Sequence, residues 1–150
     1  MNKINTIKIT SKDLSFEADL LWDLAPKTCQ AVIDILPLEI NLIHVKWSGF
    51  GVWADLGEVK VDEIPYENNT IYFSAGQIMF YPGFESMKEL VIPYDSVAFA
   101  SKAGLHSANH FATINNPQNL SELGRRAVED GSNQLFLKFN KKRTSNEYYT

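Results

Sequence analysis

A single cysteine, Cys29, stands in 150 residues. No disulfide can form within such a chain, and a reducing, cytoplasmic setting is expected. No apolar run approaches the roughly 20 residues that a membrane span needs, so no membrane partner is expected. The opening stretch MNKINTIKIT has no continuous apolar segment of the kind a secretory signal requires. Positive charge is scarce. Fourteen Lys and Arg against 18 Asp and Glu leave a net charge of −4, and the basic residues cluster at KKR, 141–143. A phosphate backbone demands a concentrated positive face, so nucleic acid is not expected as a partner. The tripeptides NNT (68–70) and NLS (119–121) match a glycosylation pattern, but a cytoplasmic chain never meets the glycosylating enzyme.

What the chain does have is apolar and aromatic material, at 45% and 12% of its residues. A chain of this length buries roughly two thirds of its unfolded surface, enough for one domain, 1–150, without a metal or disulfide staple. Residues 141–150 are patternless and read as a C-terminal tail.

Local periodicity sets the order of elements. LSFEADLLW (14–22) alternates Leu14, Phe16, Ala18 and Leu20 against Ser15, Glu17 and Asp19, which predicts a half-buried strand, and KINTIKIT (3–10) predicts its partner. The period then changes. Cys29, Val32, Ile33 and Leu36 fall on one helical face, with Pro26 suited to a first turn and Pro37 ending the run. EINLIHVKW (39–47) reads as one strand, followed by FGVWADL, TIYF, QIMFYP, ELVIPY and HFATI. Asn119 and Glu122 have capping-box spacing ahead of a buried stripe at Leu120, Leu123 and Ala127, and NQLFLKFN (133–140) is a last strand. The fold class is therefore mainly β: a closed barrel of about eight strands, which leaves no free sheet edge, with two capping helices near 25–36 and 119–130.

LSFEADLLWDLAPKTCQAVIDIL resembles the opening of the cyclophilins, whose second strand runs through an Ala-Pro-Lys-Thr or Val-Pro-Lys-Thr turn into the first helix. His44 followed by Gly49 and Phe50, then Ala103 and Gly104, then His110 and Phe111, match further cyclophilin segments. APKTC, HVKWSG, FYPG, FASKAG and NHFATI resemble more specifically a mostly bacterial group of cyclophilin-like proteins of unknown function. The resemblance implies a cyclophilin-like barrel. It also argues against peptidyl-prolyl isomerase activity, because the catalytic Arg aligns with Val45 and Lys46 should point away from the cleft on the opposite strand face. The cleft Gln becomes Trp53, a second Gln becomes His110, and a Phe of the proline pocket becomes Ala112.

By that alignment His44, His110, Trp53, Tyr81 and Ala112 surround the remodelled cleft, with Asn109 and Lys102 at its rim. Aromatic walls with a few polar groups suit a small ligand, and the lysine and histidines favour a polar or anionic one. His110, expected to share a face with Ala112 and Ile114, is the candidate general acid or base; Glu85 is a weaker one. His106 and His110 are four apart, but in a loop running into a strand rather than on a helix, so no metal and no other cofactor is expected. Ser101 and Ser107 accompany the histidines without any G-x-S-x-G elbow. The function expected is therefore a barrel that binds a small molecule, with His110 as its means of turning that molecule over. The alternative is a non-catalytic homo-oligomer joined through aromatic surfaces.

Overall fold

The computed structural model describes residues 3–84, 86–130 and 136–142. β1 (Thr6–Ser11) and β2 (Leu14–Leu20) form the opening hairpin, followed by α1 (Pro26–Ile35). β3 (Leu38–Asn41), β4 (Ile43–His44) and β5 (Gly49–Asp55) come next, then the short β6 (Asn69–Thr70) and β7 (Tyr72–Phe73). β8 (Gln77–Tyr81) and β9 (Glu89–Ala98) lead to a small hairpin of β10 (Ala100–Ser101) and β11 (Gly104–Leu105). β12 (Ala108–Ile114), α2 (Leu120–Asp130) and β13 (Phe136–Lys142) are the remaining elements among the described residues.

The main sheet is antiparallel and runs β3-β13-β1-β2-β12-β8-β9-β5-β4, with β6 added to β12 and β7 to β9. Its two ends, β3 and β4, are separated by Leu42 alone. Residues 38–44 thus act as one bent strand, pairing with β13 through Leu38–Asn41 and with β5 through Ile43 and His44. The run read as a single strand changes partner at Leu42, whose side chain is buried in the core. Counted as one, it makes eight strands around a nearly closed barrel.

Alternation explains the interior. Ile7 and Ile9 of β1 and Phe16, Ala18 and Leu20 of β2 point inward, while Lys8 is exposed. Each fully buried Ile or Phe contributes about 1.5–3 kcal/mol of transfer free energy. The helices join the same core through Val32 and Ile33 of α1, with Leu36 just past its end, and Leu120, Leu123 and Ala127 of α2. QIMFY has no polar face because β8 is buried on both sides. Ile78 and Phe80 enter the barrel core, whereas Met79 and Tyr81 join a second cluster with Phe73, Val91, Val97, Phe99 and Ala108, packed by Trp53. That outer cluster is the foundation of the site.

Each helix is seated by a particular device. Ala25 cannot cap α1. Glu67 does so from a loop, its carboxylate accepting from Thr28 N–H at 2.6 Å and Thr28 Oγ1 at 2.8 Å, with negative charge placed at the positive end of the helix. The capping box expected ahead of α2 does not form as such. Asn119 ends a 3-10 turn (Pro117–Asn119), and Glu122 is taken by Arg125 and Arg126. Gly124 lets α2 lie on Tyr94, since a Cβ there would meet the ring at 2.2 Å. Cys29 is fully buried and its thiol is pushed up to about 12 by that burial. It is expected to resist iodoacetamide in the folded protein at pH 8 and to react once urea unfolds the chain; reaction at the rate of a free thiol in native buffer would contradict the packing.

Candidate functional site

Two segments face each other beside the outer cluster. After β4 the chain leaves the sheet, and residues 45–48 are stitched to β10: Trp47 Nε1 donates to the Ala100 carbonyl at 3.1 Å, and Ser48 Oγ donates to the same carbonyl at 3.2 Å. Ala98 N–H closes the seam on the Ser48 carbonyl. Between these segments, Trp53 and the start of β9 lies a cavity of about 500 Å³. Its lining is Ile43–Ser48, Trp53, Ser86, Met87, Glu89 and Phe99–Ala103. Most of that wall is apolar; Lys46, Lys102 and Glu89 are its charged residues, and His44, Ser48, Ser86 and Ser101 add polar groups.

Of the residues expected to form the site, His44, Trp53 and Lys102 line this cavity together. The His44 ring is fixed: Nδ1 lies 2.6 Å from the Val45 carbonyl, which can solely accept, and Nε2 lies 2.7 Å from the Tyr94 hydroxyl. Nδ1 therefore carries the proton, and His44 serves as a wall held from behind. Tyr81 does not reach the lining. It is fully buried one layer back, its ring 5.4 Å from Phe99 and 5.3 Å from His106.

Asn109, His110 and Ala112 also stand outside the lining. Asn109, expected at the rim, is fully buried. Its Nδ2 donates to Thr28 Oγ1 and to the Pro65 carbonyl, both at 3.0 Å, and its Oδ1 accepts from Glu67 N–H at 3.1 Å. His110 and Ala112 do not share a face. β12 pairs with β8 at His110↔Met79 and again at Ala112↔Ile78, so Phe111 is the extra residue of a β-bulge. His110 therefore lies on the Met79 side and Ala112 on the Ile78 side, inside the barrel. The His110 ring meets Thr113 Oγ1 at 2.9 Å, and burial holds its pKa below the ordinary value, with a backbone hydrogen bond to Ala112 opposing. Glu85 lies outside the described residues.

Two features of the cavity escape the sequence. Glu89 opens β9 directly opposite Asp55 on β5, and desolvation, aided by that neighbouring carboxylate, raises its pKa to about 7. A like-charged pair across strands becomes legible solely when register is known. Ser101 Oγ is hydrogen-bonded to His106 Nε2 across the Lys102–Ala103 turn, which joins two residues that the sequence leaves separate. Among the described residues, no three His, Cys, Asp or Glu side chains gather as a metal site. No helix among them is long and apolar enough to cross a membrane.

Residues 7–139 match the family described as "Protein of unknown function (DUF3830)". The chain belongs to the DUF3830 family. No curated protein matches it. Among solved structures, this DUF3830 protein is similar to McbB, solved in complex with tryptophan, with a TM-score of 0.67 and 17% identity over 93% of the chain. The chain spans 45% of McbB, less than half of its length. It is similar to a hypothetical protein from Archaeoglobus fulgidus, at TM-score 0.61 and 14% identity, covering 94% of this chain and 98% of that one. It is also similar to a cyclophilin-type peptidyl-prolyl cis-trans isomerase from Cryptosporidium parvum, solved in the presence of the dipeptide Ala-Pro. That likeness has TM-score 0.61 and 12% identity, covering 93% of this chain and 99% of that one. The fold of the DUF3830 protein is thus cyclophilin-like. At the place the resemblance gives to the cyclophilin Arg, the cavity has Val45. Lys46, expected to point away, lines the cavity too, because β4 ends at His44 and strand alternation ends with it.

Proposed function

We propose that the protein binds a small organic anion with an apolar, aromatic-sized body in the cavity beside Trp53. The observation that carries this reading is the cavity itself: about 500 Å³, walled by Trp47, Trp53, Phe99, Ile43 and Met87, with Lys46 and Lys102 as its positive charges. That is the ordinary make-up and size of a small-molecule site. The walls take the apolar body and the lysines take a carboxylate or comparable group. The similarity to McbB, which is solved with tryptophan, supports a ligand of this kind. His44 shapes the wall, and His110 is a supporting residue outside it rather than the acid–base group.

A thermal-shift screen of small carboxylates against the wild type, Trp53→Ala, Lys102→Ala and His110→Ala tests the reading. A ligand at 100 times its dissociation constant adds about 2.7 kcal/mol, which moves the melting temperature by several degrees. The shift should vanish in Trp53→Ala, weaken in Lys102→Ala and survive in His110→Ala. A shift lost in His110→Ala alone would move the site to β12. A blank screen would remove the reading in favour of assembly through exposed aromatic side chains, among which Trp47, Phe50 and Phe84 are more than half exposed. Light scattering across a concentration series would then decide.

A further inference from the structure

The wall of the cavity contains a serine already joined to an imidazole. Ser101 lines the cavity, and its Oγ is hydrogen-bonded to His106 Nε2. Ala103 N–H donates to the same Oγ at 3.0 Å. An oxygen that accepts from a backbone amide keeps its own proton to give, and His106 Nε2 lies where it would be received. His106 is 4% exposed, with its ring packed against Tyr81 at 5.3 Å and Phe99 at 5.9 Å, so the imidazole is held in place behind the serine. The tight β10–β11 hairpin, whose Gly104 sits at φ 113° directly opposite Ser101, holds the serine at the cavity wall.

We propose that Ser101 is a nucleophile, with His106 as its general base, that cleaves carboxylic esters whose apolar part is seated against Trp53 and Phe99. This rests on the cavity being the ligand site. In the first step the Oγ–carbon bond forms at the ester carbonyl while Nε2 takes the hydroxyl proton. The C–O bond to the alcohol then breaks, and Nε2–H protonates the departing oxygen. Water attacks the acyl-serine, giving its proton to Nε2; the acid leaves, and the proton returns to Oγ. Lys102, adjacent in the turn and also lining the cavity, supplies positive charge for the carbonyl oxygen as it becomes anionic.

The test uses a biotinylated fluorophosphonate and p-nitrophenyl butyrate on the full chain. The expected result is a modified Ser101 peptide by mass spectrometry, with hydrolysis reduced about 10²–10⁴-fold in Ser101→Ala and His106→Gln. An unmodified Ser101, or hydrolysis equal in both variants and wild type, overturns the proposal. Ser101→Cys keeps a hydrogen-bonding atom beside His106 should the other variants misfold. Its thiol should alkylate with iodoacetamide at pH 6, where an ordinary thiol is almost fully protonated. Cys29, buried and raised to about 12, adds no background. Alkylation no faster than that of a free thiol counts against the pair. Binding of 4-phenylbutyrate to Ser101→Ala, followed by tryptophan fluorescence, separates the two readings. Saturable binding without ester cleavage in the wild type overturns the nucleophile alone; absence of both overturns the cavity reading as well.

Discussion

Asn109→Ala is expected to cost about 3 kcal/mol of folding stability, which for a chain of this size lowers the melting temperature by roughly 6–12 °C. The side chain is completely buried and makes three hydrogen bonds to three separate groups: Thr28 on α1, and Pro65 and Glu67 in the loop before β6. Truncation removes all three hydrogen bonds, each worth about 0.5–1.5 kcal/mol net, and leaves Thr28 Oγ1 without its buried donor. The same loop carries the carboxylate that caps α1, so its loosening weakens the helix start as well. Asn109→Asp should be no milder, because it aims a second oxygen at the Pro65 carbonyl where a donor is needed. Urea denaturation of both variants gives the answer. Unchanged stability with altered ligand affinity would instead return Asn109 to the rim of a binding site.

Glu89→Gln should stabilise the protein above neutrality by about 1–3 kcal/mol and leave it nearly unchanged below pH 4.5. Glu89 is half-buried opposite Asp55, and its folded pKa of about 7 lies above the ordinary 4.5. The folded state therefore holds the proton more tightly than the unfolded state between those values. Stability from this group falls as pH rises from about 4.5 to about 7 and is flat outside that window. Solvent reaching the half-buried carboxyl keeps the effect below what the full shift would give. Gln keeps the shape and abolishes the titration, so the slope between pH 4.5 and 7 should flatten when urea midpoints are compared at pH 5 and 8.5. The ligand should feel the same group. An anion held by Lys46 and Lys102 meets a neutral Glu89 below pH 7 and a carboxylate above it, so wild-type affinity should decline through neutrality while that of Glu89→Gln stays level. A slope of opposite sign would mean that Glu89 is ionised and paired with a cation.

Elements with a clean period are legible in the sequence: β2 from Phe16, Ala18 and Leu20, α1 from Cys29, Val32, Ile33 and Leu36, and α2 from Leu120, Leu123 and Ala127. The cyclophilin-like barrel follows from their order and from the APKTC resemblance. What escapes depends on pairing between distant strands. The bulge at Phe111 reverses the face of His110, and no local pattern in NHFATI marks it. Lys46 lies in the cavity wall beyond the end of β4, and nothing in HVKWSG says that the strand stops at His44. Asn109 reads as an exposed polar residue because a buried one is recognised by partners 42 to 81 positions away. Ser101 and His106 both stand out in the sequence, yet their contact exists solely because a two-residue turn folds β10 onto β11.

The seam at residues 38–44 bears on how the chain is made. One half of that bent strand finds β5 within a few residues, whereas the other half waits for β13, at 136–142. A ribosome delivers the partners in that order, with residues 56–135 synthesised between them. Until β13 arrives, β3 and β1 each present an unpaired edge. Long-range closure of this kind is slow and exposes intermediates to aggregation. Nascent chains stalled before β13 should therefore be the form that engages chaperones, and release of the last strand the event that frees them.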